Sequence, residues 1–119
     1  MITIDFDKMQ GVAPAIVQDD MTGEVLMLGF INREALQRTL RSGYMTFFSR
    51  TRNRLWTKGE TSGNRLRVIS LAADCDRDTV LARVRVEGDG VACHEGTRSC
   101  FTRPLAFEPA DQAVVGGAR

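Results

Sequence analysis

The chain has one histidine, one tryptophan, one tyrosine and three cysteines among 119 residues, so chemistry that needs imidazole or thiol has few places to sit. It also lacks an excess of either charge. Sixteen Lys and Arg stand against 15 Asp and Glu, a formal net charge of +1, so no global field holds a polyanion and any phosphate binding must be local. The longest apolar run, Val25 to Ile31, is seven residues, against the roughly 18 needed for a membrane-spanning helix. Met1-Ile2-Thr3-Ile4-Asp5 has neither the basic start nor the apolar stretch of a signal peptide. A cytoplasmic location is therefore expected, where an odd number of cysteines points to thiols or metal ligands and not to a disulfide framework.

The length fits one compact domain, and the hydrophobic fraction of 43% with 26% charged residues is that of a folded chain. Asp19-Asp20-Met21-Thr22-Gly23 is a cluster of turn formers between two apolar segments and predicts a hairpin within Ala15 to Leu28. Asn32 reads as an N-cap, with Ala35, Leu36 and Leu40 at helical spacing and Gly43 placed to end the helix. Met45 to Ser49, Leu66 to Ala72 and Thr79 to Glu87 read as strands, the last with Val80, Ala82, Val84 and Val86 on one face. Asn53 to Asn64 is polar, holds two glycines and is expected to be mostly loop; residues 108–119 read as a frayed tail beyond a domain over 1–107. The expected fold is α+β, a small β-rich domain with antiparallel strands and one main helix.

All three cysteines and the only histidine fall within 26 residues, as Cys75, Cys93-His94 and Cys100. Catalytic zinc sites use three protein ligands and leave a fourth position for water, and three Cys would leave that opening. The plain alternative is buried thiols, because the spacing lacks the Cys-x-x-Cys knuckles of a zinc ribbon. Neighbours on a strand point to opposite faces, so His94 suits a proton shuttle better than a fourth ligand. Asp74, Asp76 and Asp78 offer a second site, for a hard cation, with a solvated acidic turn as the alternative. On a straight strand these carboxylates would stand roughly 6.6 Å apart per step, so the segment must bend or waters must complete the shell. Thr79 and Arg85 stand where an EF-hand needs Gly and Glu, which excludes that motif.

Between Arg50 and Arg67 lie Arg50, Arg52, Arg54, Lys58, Arg65 and Arg67, with Glu60 as the only acid. Arg and Lys can grip phosphate, and Trp56 offers a face on which a purine could stack. The glycine, hydroxyl and amide groups of Gly59-Glu60-Thr61-Ser62-Gly63-Asn64 add donors, but the order is not that of a P-loop. A solvated basic face with a core tryptophan is the simpler account.

Taken together, Pro14-Ala15-Ile16-Val17-Gln18-Asp19, Thr22-Gly23-Glu24-Val25-Leu26-Met27-Leu28, Ser49-Arg50-Thr51-Arg52, Leu55-Trp56-Thr57-Lys58-Gly59-Glu60-Thr61-Ser62-Gly63-Asn64, Asp74-Cys75-Asp76-x-Asp78, Ala92-Cys93-His94-x-Gly96 and Ser99-Cys100-Phe101 resemble the phosphoribosyl-AMP cyclohydrolases. The resemblance runs from about Gly11 to Phe101. It implies an intimate homodimer, with one zinc per subunit held by Cys75 of one chain and by Cys93 and Cys100 of the other, and magnesium at Asp74, Asp76 and Asp78. Arg77 stands where the family usually has Gly. That family also occurs fused to a pyrophosphohydrolase that makes its substrate; this chain is too short for that domain, and a separate protein is expected to supply the activity.

The implied reaction is hydrolysis between N1 and C6 of the purine of 1-(5-phosphoribosyl)-AMP, with zinc lowering the pKa of water to about 7 and His94 moving the proton. Arg50, Arg52, Lys58, Ser62 and Asn64 are the expected substrate contacts, with Trp56 as a base platform. Of the rivals, a zinc deaminase lacks its His-x-Glu and Pro-Cys-x-x-Cys elements here. A zinc-stabilised module binding single-stranded nucleic acid or nucleotides without turnover is opposed by the near-neutral net charge.

Overall fold

In the computed structural model, residues 3–110 are described. A 3-10 turn, Phe6–Met9, precedes strands β1 (Ala13–Asp19) and β2 (Val25–Ile31), helix α1 (Arg33–Ser42), and strands β3 (Thr46–Ser49), β4 (Arg54–Thr57), β5 (Leu66–Ala73) and β6 (Val80–Val86). Four strands form one sheet in the order β2-β1-β6-β5, and β3 pairs with β4 in a separate ribbon. The tail expected over 108–119 lies largely outside the described residues. Among those described, no helix is long and apolar enough to cross a membrane.

The period-2 patterns carry the sheet. Ala13, Ala15, Val17 and Asp19 point inward from β1, and Val80, Ala82 and Val84 do so from β6. The β1–β2 hairpin forms where its turn residues stand, with the Asp19 N–H donating to Glu24 O at 2.8 Å. Asn32 caps α1 through a 2.9 Å bond from the Ala35 N–H, worth about 1 kcal/mol. Gly43 ends the helix at φ +83°, a left-handed conformation that favours glycine.

One expectation needs correction and two are refined. The β1–β6 pair is parallel, so the main sheet is mixed. Side-chain alternation is the same for either strand direction, and only the path of the chain fixes it. Within the expected loop, Arg54–Thr57 is a strand paired with β3, placing Trp56 opposite Phe47 and Thr57 opposite Thr46. Its flanking arginines mask that short alternation. Leu40 is 66% exposed, and the inward position belongs to Thr39, whose hydroxyl donates to Ala35 O and accepts from the Thr46 N–H, both at 2.9 Å. The helix thus joins β3 through a buried hydroxyl.

Phe47 is fully buried and packs against β2 at Gly29, where an added Cβ would come within 2.5 Å of the ring. Gly29→Ala is expected to cost about 1–3 kcal/mol, the usual range for overpacking. A lowered urea midpoint at unchanged m value would show it.

Candidate active site and metal centre

Asp74, Asp76 and Asp78 lie in the turn joining β5 to β6, and one oxygen from each comes within 4.8 Å of the others. The bend required by their spacing is made by Arg77, which takes φ +64°. Asp74 Oδ1 organises the turn by accepting from the N–H groups of Asp78 and Thr79 at 2.9 and 3.1 Å. Desolvation works to raise the Asp74 carboxyl, but these bonds outweigh it and its pKa is lowered; Asp78 is raised by desolvation and by its acidic neighbours. Lys8, 68 residues from Asp76 in sequence, brings its ammonium 2.7 Å from Asp76 O and within 3.6 and 3.5 Å of the Asp76 and Asp78 carboxylates. The oxygens suit a hard divalent cation whose remaining positions are filled by water.

Residues 92–100 fold into a loop clamped onto the hairpin. Arg98 reaches Asp19 at 3.0 Å and Glu24 at 3.1 Å, Ser99 Oγ donates to Val25 O at 2.8 Å, and the Cys100 N–H donates to Leu26 O at 2.7 Å. Within it the Cys93 thiol is buried and accepts from the Glu95 N–H at 3.5 Å. That bond, with hydrogen bonds from Thr97 and Cys100, lowers the Cys93 pKa against the desolvation that opposes it. Cys100 is raised by desolvation and by Cys93, with Lys58 pulling the other way. The two thiols therefore interact, with Cys93 the one inclined to the thiolate. Cys75 is exposed in the acidic turn, and among the described residues the three cysteines form no common cluster within one chain. His94 is exposed while Cys93 is buried, so these neighbours point apart.

The basic segment divides in two. Arg50 stacks on Phe30 at 3.8 Å and Arg52 is exposed, both at the β3–β4 turn. At the other end of the ribbon a cavity of about 530 Å³ is lined by Arg38, Tyr44, Thr57, Thr61, Ser62 and Arg65, among others. Of the expected contacts, only Ser62 lines it. Trp56 is half-buried with its ring 4.9 Å from that of Phe47. Asn64 accepts from the Asp89 N–H at 2.8 Å, pinning its loop to the turn after β6. Arg38 projects from α1 and makes no ion pair among the described residues; its distance in sequence from the basic segment hid it.

The family model described as phosphoribosyl-AMP cyclohydrolase matches residues 27–102, which include both the acidic turn and the thiol loop. The chain belongs to this family. It is 57% identical over 116 residues to the histidine biosynthesis bifunctional protein HisIE of Bacteroides thetaiotaomicron, covering 94% of this chain and 56% of that protein. It is 59% identical over 98 residues to HisIE of Escherichia coli K12, covering 82% of this chain and 47% of that protein. The chain thus spans about half the length of the curated relatives it matches.

Among phosphoribosyl-AMP cyclohydrolase motifs, Asp19 was legible as a turn former and a matching letter, Ser99 only as a matching letter, and Arg98 was not singled out. Their spatial meeting is what positions the thiols. Asp19 is 8% exposed; desolvation would raise its carboxyl, but the N–H groups of Met21 and Thr22 and the Arg98 guanidinium together lower it. Its stabilisation is complete above the unfolded value of about 3.9 and is lost as pH falls through the lower folded value. Asp19→Asn is expected to be less stable at pH 7 and to lose stability less steeply below pH 4. Urea midpoints between pH 7 and 2.5 measure both effects.

Proposed function

We propose that this chain hydrolyses the N1–C6 bond of 1-(5-phosphoribosyl)-AMP, opening the purine to a formimino-carboxamide ribonucleotide in histidine biosynthesis. The observation that carries this proposal is that the family match over 27–102 encloses the convergent carboxylates, the thiol pair and His94. The setting is the cytoplasm, where the thiols stay reduced.

Cys93 and Cys100 form two thirds of a catalytic zinc ligand set, and in a homodimer Cys75 of the second chain supplies the third. Zinc held this way brings the pKa of water to about 7 and acts as a Lewis acid. Asp74, Asp76 and Asp78 hold magnesium. Water adds at C6 as His94 takes a proton from it, the C6–N1 bond breaks with its electron pair going to N1 and the water oxygen becoming the carboxamide carbonyl, and His94 returns the proton to N1. Alkylation at N1 makes C6 electrophilic, so the ring is already disposed to accept the nucleophile. The substrate carries two phosphates, and the chain offers two groups of cations at the ends of a four-residue ribbon, roughly 10 Å apart. Arg50 and Arg52 serve one, while Arg38, Arg65 and Ser62 serve the other. Lys58, whose charge acts on Cys100, adds a further substrate contact, and Trp56 borders the base.

Incubation with phosphoribosyl-AMP, followed by absorbance, is expected to show metal-dependent ring opening, and no product would refute the proposal. His94→Ala should keep its zinc and lose at least about a hundredfold in rate. Loss of zinc in that variant would make His94 a ligand.

Sharing of the site is tested by co-expressing Cys75→Ala and Cys93→Ala chains, each inactive alone. A mixed dimer gathers both lesions in one site and leaves the other whole, so random pairing restores about a quarter of the activity under two-fold symmetry. No recovery in verified mixed dimers would place each zinc within one chain.

A further inference from the structure

We infer that residues 101–110 form an arm that crosses to a second copy of the chain and lays Leu105 and Phe107 in an apolar groove between α1 and β5 of that copy. The arm has no regular structure and is exposed throughout, with Phe101 at 66%, Leu105 at 91% and Phe107 at 80%. Three large apolar side chains within seven residues, presented to water, mark a contact surface. The arm also fits a chain whose longest dimension is 54 Å and whose radius of gyration is 16.8 Å, against about 13 Å for a compact body of this length. Pro104, next to Leu105, and Pro109, two residues after Phe107, restrict the arm's backbone and lower the entropy lost on docking.

The groove has a volume of about 660 Å³ and is lined mainly by Ile4, Phe6, Leu36, Leu40, Leu71 and Val80. The exposed Leu40 belongs to this lining. Arg33 also lines the groove, and Glu108 follows Phe107 on the arm, so the charges match where the apolar contact ends. The arm leaves the body at Cys100, tied to β2, whereas the groove lies at β5, the opposite edge of the four-stranded sheet. Within its own chain the arm stands exposed and contributes nothing to the groove lining, so the occupant is an arm from another copy, and two-fold symmetry fills both grooves.

Polarity supports the same pairing. The groove runs to Ala73, two residues before Cys75, and the arm begins immediately after Cys100. An arm seated with its root toward the acidic turn brings Cys100 of one chain to Cys75 of the other, which rests on the shared site proposed above. The docked arm then completes the ligand set.

The test uses the zinc-loaded full chain, with Leu105→Asp, Leu40→Arg and the double variant, and sedimentation equilibrium over a range of concentrations. Both side chains are exposed, so circular dichroism should show each variant folded. A dimeric wild type is expected, with each single change raising the dimer dissociation constant at least tenfold and the double change recovering most of that loss. A double variant no better than the singles would overturn the pairing of arm with groove. If Leu105→Asp and Phe107→Asp both dimerise like wild type, the arm proposal falls while the dimer stands. A monomeric wild type removes both.

Discussion

Asp19 stands on the inward face of β1, where strand alternation would otherwise put an apolar residue, and its carboxylate must be satisfied there or lost. Two backbone N–H groups of the hairpin turn and the Arg98 guanidinium satisfy it. A charged group held by backbone donors fixes geometry more tightly than an exposed ion pair, whose partners are free to move. Here that rigidity passes from the turn to the loop bearing Cys93 and Cys100. Ser99 and the Cys100 amide continue the attachment along β2, so the thiols are placed by the sheet.

The elements legible in the sequence were those with local causes. The hairpin around Asp19 to Gly23, the helix between Asn32 and Gly43, and the alternation in β6 each rest on interactions a few residues apart. What the sequence hid depends on distant partners. β4 exists because β3 lies beside it, β6 runs parallel to β1 because the chain returns that way, and Thr39 is buried because Thr46 needs an acceptor.

The site follows the same division. The three aspartates at alternate positions announced a cluster, and the bend they need is present at Arg77 without the glycine that would adopt it most easily. The closeness of Cys93 and Cys100 follows from a turn of few residues. Lys8, Arg38 and Arg98 come from elsewhere in the chain, and no spacing rule connects them to the groups they meet. Asn64 shows the converse: a residue in a motif-like run can spend its side chain on holding a loop.

Lys8 gives the acidic turn a resident counter-charge, while the Asp5 N–H donates to Arg77 O at 2.7 Å and ties the N-terminal segment to the same turn. Two of the three carboxylates therefore have a cation of the chain's own beside them. A divalent cation binding there would have to compete with an ammonium already in place. Its apparent affinity would then be a difference between two occupancies, while the Asp5–Arg77 backbone bond would still hold the N-terminal segment to the turn.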